Sequence, residues 1–426
     1  LGYDPGLEIT CENGEMRIRN GADFRFAARD CAAHIQKILA DNRSPRFDWL
    51  PPFAGGLVGY FSYEYIRYAE PGLRLDAEDG EHFKDLDLML FDKVIAFDHL
   101  EDRIVLIANM RTDAPEENYN RAVSELEHMR RVLESGAPAV LPPLRLTSPF
   151  RALFDEARYT DMVRRAKAYI RDGDIFQVVL SNRLDADAEG SLFDAYRVLR
   201  ETNPSPYMFC LSSDDIEIAG AAPETLVKVT GDAVTTFPLA GTRPRGATEA
   251  EDAAMERSLL GDPKELAEHN MLVDLGRNDI GKISRFGSVR VERYLSVERF
   301  SHVMHIGSVV TGTLAEGRGA LDAVGALLPA GTLSGAPKIR ACEIINELEN
   351  NRRGIYGGAI GYLAFTGDLD VCIAIRLAFK KNGRVFVRSG AGIVADSVPE
   401  SEFAECASKM KAVLEALEIA EGGYGK

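Results

Sequence analysis

Four hundred and twenty-six residues, 46% apolar and 27% charged, are an ordinary globular composition; they suffice for one large or two ordinary domains and exclude a disordered chain. Fifty basic against 66 acidic side chains leave a net charge of −16, which disfavours general nucleic-acid binding, because phosphate contacts need a Lys/Arg surplus. No apolar run approaches the ~20 residues that span a bilayer, so no membrane partner is expected.

The six cysteines, Cys11, Cys31, Cys210, Cys342, Cys372 and Cys406, contain no CxxC pair, so neither a zinc site nor a disulfide framework is expected. Reduced thiols, with no visible signal peptide, point to the cytoplasm. A start at Leu1 rather than Met leaves room for an upstream segment.

In chain order, the runs LMLFDKVIAFDH (88–99) and DRIVLIAN (102–109) predict a β-hairpin, and 119–133 a helix. Pro138, Pro142 and Pro143 make 136–144 the best candidate linker, dividing residues 1–145 from residues 150–420. Beyond it, Tyr159, Val163, Ala166 and Ile170 at helical spacing predict a helix over 155–171, closed by Asp172 and Gly173, and a strand follows in IFQVVLSNRL. Further strands are predicted at 216–219, 226–229, 371–379 and 384–388, and helices at 250–260, 264–275, 339–348 and 401–417. Strands of mixed length with irregularly spaced helices predict an α+β fold rather than a regular βαβ winding.

Three constellations stand out. Glu265 and Glu268 sit i, i+3 on one helix face; Glu402, Glu405 and Lys409 line another, along the border of an apolar stripe of Phe403, Ala407, Met410 and Leu414. Carboxylates from two helices suit Mg²⁺, which takes one or two of them plus substrate oxygens; solvated faces, with acids favoured near a helix N-terminus, fit the spacing equally. Next, His302 and His305 in SHVMHIGSVVTG precede β-branched residues, so a strand would send them to opposite faces. One of them then faces a cleft as an acid or base, or both are core histidines held by backbone partners. Last come three glycine-rich loops, at 239–246, 329–340 and 388–397, none of them a Walker A or dinucleotide fingerprint. With Arg243, Lys338 and Arg376 nearby in sequence they suggest a small-anion pocket, whose attraction must be local in so acidic a chain.

Taken in order, DIFQVVLSNRL, NPSPYMF, GAAPETLVKV, PLAGTRPRG, DPKELAEHNMLVDLGRNDIGKI, RFSHVMHIGSVVTG, PAGTLSGAPKIRACEII, YGGAIGYL, DLDVCIAIR and SGAGIVADSVPESEFAE resemble the chorismate-utilising enzymes, and within them the anthranilate synthase component I branch. The resemblance is dense from about residue 150 to residue 412 and looser through LPPFAGGLVGYFSYE (50–64). It implies two large antiparallel-rich β-sheets with helices packed outside and the active site in a cleft. It makes 150–420 the chorismate-binding catalytic domain, and 1–145 a regulatory or partner-facing region packed on it.

Residue by residue, the resemblance implies that Glu268 and Glu402 ligate Mg²⁺, with Glu405 on its water shell, and that the ion holds the ring carboxylate of chorismate. It puts Tyr356 and Arg376, with the backbone around Gly390 and Gly392, on the enolpyruvyl carboxylate. Gly241 and Thr242 line the ring site, and His305 and Thr332 take part in catalysis. Relatives that add water to chorismate carry Lys where this chain has Gln177, and relatives making aminodeoxychorismate carry a nucleophilic Lys where it has Ala240, so ammonia addition at C2 is implied. No Cys-His glutaminase signature is visible, so a separate glutamine amidotransferase subunit (component II) is implied as the ammonia source. Pro206, Tyr207, Met208, Tyr362 and Cys372 match part of a tryptophan feedback site whose usual N-terminal Leu-Leu-Glu-Ser segment is absent here. The alternatives are aminodeoxychorismate synthase component I and an inactive tryptophan-binding or scaffold homologue; joint retention of Glu268, His305, Thr332, Arg376 and Glu402 speaks against the latter.

Overall fold

The computed structural model describes residues 1–28, 30–300 and 303–423. Among them the strands form a 12-stranded sheet, an 8-stranded sheet and a two-stranded hairpin, and the pairings within strands are antiparallel. The larger sheet runs from Leu239–Pro244 through Val303–Thr313, Ala233–Thr236, Thr225–Thr230, Leu369–Ile373 and Ala359–Ala364 to Gly56–Phe61, Leu86–Phe91 and the N-terminal strands. The smaller runs from Tyr207–Ser212 through Ile216–Ala222, Leu377–Lys381, Arg384–Ile393 and Gln177–Glu189 to Gly335–Ala336. Strands from residues 1–145 thus share a sheet with strands from the second half of the chain.

The sheets meet through a buried cluster to which Tyr60, Ile360 and Cys372 contribute from one and Ile218, Phe379 and Phe386 from the other. Helices cover the outer faces, as expected for the α+β class. Glu156–Arg171, Phe193–Thr202, Lys338–Glu349 and Pro399–Ala420 pack on the smaller sheet; Cys31–Asp41, Pro263–Gly281 and Ala320–Leu327 pack on the larger. Local chemistry sets the ends of the helices that matter most. The Asp262 carboxylate accepts from the amides of Lys264 and Glu265, and Pro263 follows at a position needing no N–H. Asp155 caps 156–171 by accepting from the Arg158 amide.

The chain passes between the sheets at two adjacent points. Residues 216–222 belong to the smaller sheet and 225–230 to the larger; 369–373 belong to the larger and 377–381 to the smaller. The run 371–379, expected as one strand, is therefore two. The break falls at Arg376, whose φ of +51° leaves the extended region. The Ala221 amide donates to the Arg376 carbonyl (3.1 Å) and the Ile373 amide to the Glu224 carbonyl (2.9 Å), fastening the crossings together.

Other expectations need correction. The run 88–99 divides: Leu86–Phe91 enters the larger sheet, and only Lys93–Asp98 pairs with Arg103–Ala108 as a hairpin. Two of the three glycine-rich segments are strands rather than loops, 239–244 and 384–393. On helix 399–420 the fully buried stripe is Cys406, Met410, Val413 and Leu417; Phe403 and Leu414 pack half-buried at its edge, while Ala407 is exposed.

Candidate active site

A cleft of about 550 Å³ opens beside the two crossings. Its floor is the antiparallel pair 177–189 and 384–393, in which Val179 lies opposite Gly392 and Ser181 opposite Gly390. Alternation along the second strand turns Arg388, Gly390 and Gly392 to the same side. The glycines leave room there. A Cβ on Gly392 would lie 2.6 Å from Gln177 Nε2, and one on Gly390 3.0 Å from the Tyr356 hydroxyl. Gln177 is buried, and its Oε1 has no hydrogen-bond partner among the described residues.

One wall is acidic. Helix 263–281 contributes Glu265 and Glu268, and helix 399–420 contributes Glu402 and Glu405. Burial pushes the Glu268 carboxyl up and the charge of Glu265 adds to it; burial raises Glu402 and Glu405 reinforces it. Desolvation and like charge together disfavour the ionised form of both carboxyls. Lys409 offsets part of this, pairing with Glu405 at 2.7 Å while donating to the Gly390 carbonyl at 3.1 Å. Among the described residues no three His, Cys, Asp or Glu side chains converge tightly enough to hold a metal by themselves.

The opposite wall is cationic. Arg376 projects from its crossing and makes no ion pair or side-chain hydrogen bond among the described residues. Tyr356, buried in the same lining, also has a hydroxyl free of partners among them. A cleft with an unpaired guanidinium fork, a free hydroxyl and the strand of Gly390 and Gly392 suits a carboxylate.

Between the walls lies a group that the sequence analysis passed over. Glu224, at the other crossing, is half-buried, and desolvation pushes its carboxyl up to about 7; Thr332 Oγ1 donates to it at 3.2 Å and, with Arg376, opposes the rise. The signal available was an acid directly after Pro223 inside an otherwise apolar run. Thr332 stands on a short 3₁₀ turn, Gly331–Leu333.

His305, on strand 303–313, borders the cleft rather than lining it. It faces an adjoining hollow of about 350 Å³ that shares Arg376 with the cleft. Its Nδ1 lies 2.8 Å from the Gly241 carbonyl and 3.2 Å from Thr242 Oγ1. A carbonyl only accepts, so Nδ1 carries the proton and Nε2 keeps a lone pair. Burial lowers the affinity of His305 for a second proton, against the pull of Gly241. Gly241, at φ +66°, takes a left-handed turn close to Glu265 and Leu259, where a side chain would be strained. His302 lies outside the described residues. His269, next to Glu268, turns instead into the core, where it meets Ser308 Oγ at 2.6 Å.

The anion-pocket trio separates. Arg376 reaches the cleft, Arg243 is spent on Asp262 (2.8 Å) and Glu265 (3.1 Å), and Lys338 is buried away from it in a pair with Asp279 (2.7 Å). Lys338 stands at the first position of a helix whose start lies under the surface, so its ammonium finds a carboxylate there. Of the tryptophan-site residues, Tyr207 donates to Asp370 (2.7 Å) and meets Thr225 (2.8 Å). Cys372 pairs across strands with Thr225, and Tyr362 with Asp370. Met208 faces the other side of its strand, and Pro206 is exposed.

Comparison with known proteins places the chain in a family. Residues 4–415 match the family model described as chorismate binding enzyme. The chain is 45% identical over 412 residues to the anthranilate synthase component 1 of Aquifex aeolicus (strain VF5), covering 96% of this chain and 83% of that one. The crystal structure of anthranilate synthase component I from Streptococcus pneumoniae TIGR4 superimposes with a TM-score of 0.84 at 40% identity, covering 97% and 91% of the two chains. The menaquinone-specific isochorismate synthase of Escherichia coli shares the fold at 19% identity, with a TM-score of 0.69 and coverage of 98% and 89%.

Proposed function

We propose a division of labour in the cleft from one premise: the chain belongs to the chorismate binding enzyme family and functions as an anthranilate synthase component I, a lyase of tryptophan biosynthesis that converts chorismate to anthranilate. The observation that supports the assignment of roles is the pair of opposed walls. Chorismate carries two carboxylates, and the cleft has two unlike places for them: an acidic wall that requires a cation, and the Arg376–Tyr356 wall, which is one.

Mg²⁺ fits the acidic wall. The donors are hard oxygens, the Glu268 and Glu402 carboxyls are raised by burial and by an acidic neighbour each, and the site supplies carboxylates in pairs rather than a closed cage. Glu268 and Glu402 would hold the ion, with Glu405 behind its waters; when bound it supplies the positive charge that neutralises the ring carboxylate. Arg376, Tyr356 and the backbone at Gly390 and Gly392 hold the enolpyruvyl carboxylate, and Gly241 and Thr242 border the ring.

Ammonia attacks C2 while the 4-hydroxyl departs as water, and Glu224, kept protonated by desolvation and oriented by Thr332, donates the proton that this departure needs. In the second half, His305 Nε2 removes the C2 proton, the enolpyruvyl ether bond breaks, and pyruvate leaves an aromatic ring. Ammonia as nucleophile is supported by Gln177, which cannot deprotonate water, and by Ala240, which cannot form a covalent adduct. A glutamine amidotransferase subunit supplies that ammonia, consistent with the component 1 naming of the relatives. Residues 1–145 form the regulatory or partner-facing part, and Tyr207, Tyr362 and Cys372, gathered around Asp370 and Thr225, belong to a tryptophan feedback site. No helix among the described residues is long and apolar enough to cross a membrane, and we place the enzyme in the cytoplasm.

His305→Met tests the division of the reaction. Elimination should slow by ~10²–10⁴-fold and amination far less, so aminodeoxyisochorismate should appear in the medium on chromatography. Equal loss of both halves, with no intermediate, would show that His305 serves neither alone.

A further inference from the structure

Five carboxylates, Glu224, Glu265, Glu268, Glu402 and Glu405, border a cleft that must admit a dianion, in a chain of net charge −16. Arg376, Lys264 and Lys409 line it too, but Lys409 is already paired with Glu405, so the counterweight is thin. Further positive charge lies under the floor. Glu349, Arg353 and Arg388 are 2%, 2% and 4% exposed and form a closed network. Arg353 Nε and Nη2 donate to Glu349 at 3.0 and 2.6 Å, and Arg388 Nη2 donates to it at 2.8 Å. Two guanidiniums thus share one carboxylate, leaving one buried positive charge in excess.

This charge is coupled to the floor itself. Arg388 lines the cleft two residues before Gly390 on the same strand face. Arg353 donates to the carbonyls of Val179 (2.7 Å) and Leu333 (2.6 Å), and its guanidinium carbon lies 5.8 Å from the Tyr356 ring centroid. A buried charge is little screened by salt, so its field reaches a ligand on the floor. For stability alone the arrangement is a poor choice, because burying a second guanidinium on one carboxylate costs more desolvation than an apolar replacement.

We propose that the Glu349–Arg353–Arg388 network is a fixed monocation that positions the enolpyruvyl-carboxylate end of the substrate, acting through the floor at Tyr356 and Gly390. The proposal rests on the assignment of that carboxylate to the Arg376–Tyr356 wall. Arg353 and Arg388 are positioning residues, not catalytic ones.

Asn351 supplies the test. Its Oδ1 accepts from Arg388 Nη1 at 2.9 Å, so Asn351→Asp keeps the hydrogen bond, adds a negative charge and cancels the excess without opening the network. With purified chain, Mg²⁺ and ammonium, the KM for chorismate should rise about threefold in Asn351→Asp, and about tenfold, equivalent to about 1.4 kcal/mol, in Arg388→Met. Arg388→Lys should restore most of it. The inhibition constant of pyruvate, which carries the enolpyruvyl carboxylate, should rise in step, while that of anthranilate, which carries the ring carboxylate, should stay put. A purely structural network predicts no change in Asn351→Asp, so constants within about twofold of wild type there, or equal weakening of both products, would overturn the proposal. Failure of the wild-type chain to make anthranilate would instead overturn the reading beneath it.

Discussion

Replacing Glu268 or Glu402 by glutamine is expected to remove chorismate turnover while leaving the fold intact. Glu268 projects from the Asp262-capped helix and Glu402 from the first turn of helix 399–420 into one cleft, and both are raised by burial and by an acidic neighbour. Loss of a ligand oxygen weakens Mg²⁺ and the hold on the ring carboxylate; a loss of about 4 kcal/mol of charge stabilisation corresponds to about 10³-fold in rate. The fold should not suffer. A carboxyl whose folded pKa lies above its unfolded one stabilises the fold while protonated, and that contribution disappears as pH rises through the folded value. At pH 8 without metal each ionised acid is therefore a cost, which glutamine removes. Thermal melts in EDTA should give an unchanged or higher midpoint for both variants. Near-normal turnover at ordinary Mg²⁺ in either would remove the metal assignment.

Glu224→Gln should lower kcat by ~10²–10⁴-fold with little change in KM, since Glu224 acts on the leaving hydroxyl rather than on either carboxylate. A group at about 7 donates while protonated, so wild-type kcat should fall as pH rises through that region, and the glutamine variant should lose this limb. The same sign governs stability. Protonated Glu224 contributes fully below its ordinary carboxyl range, and the contribution fades as pH passes about 7; Glu224→Gln should therefore gain stability over wild type at pH 8.5 but not at pH 5.5. A retained basic limb in the variant would assign the limb to another group.

The sequence was most informative where periodicity and chemistry coincide. Helix-face spacing put Glu265 with Glu268 and Glu402 with Glu405, and the structure carries both pairs to one cleft. β-Branched residues after His305 marked its strand. Periodicity failed where the chain changes sheets. At 371–379 the apolar run continues straight through the crossing, because residues on both sides are buried, and only the backbone at Arg376 betrays the break. Glu224 was missed for the same reason: its role comes from a second crossing far away in sequence that carries Arg376 to its side. Lys338 was misjudged because nearness in sequence to a glycine-rich turn says nothing about which side of a helix start is buried. The family resemblance supplied the roles that spacing alone left open.

The measurement closest to the central claim is the product made from chorismate, Mg²⁺ and ammonium by the purified chain. Anthranilate should accumulate, read by its fluorescence, with one pyruvate released for each; glutamine in place of ammonium should give none until an amidotransferase subunit is added. Aminodeoxychorismate or isochorismate as the product, or anthranilate from glutamine with the chain alone, would contradict the account.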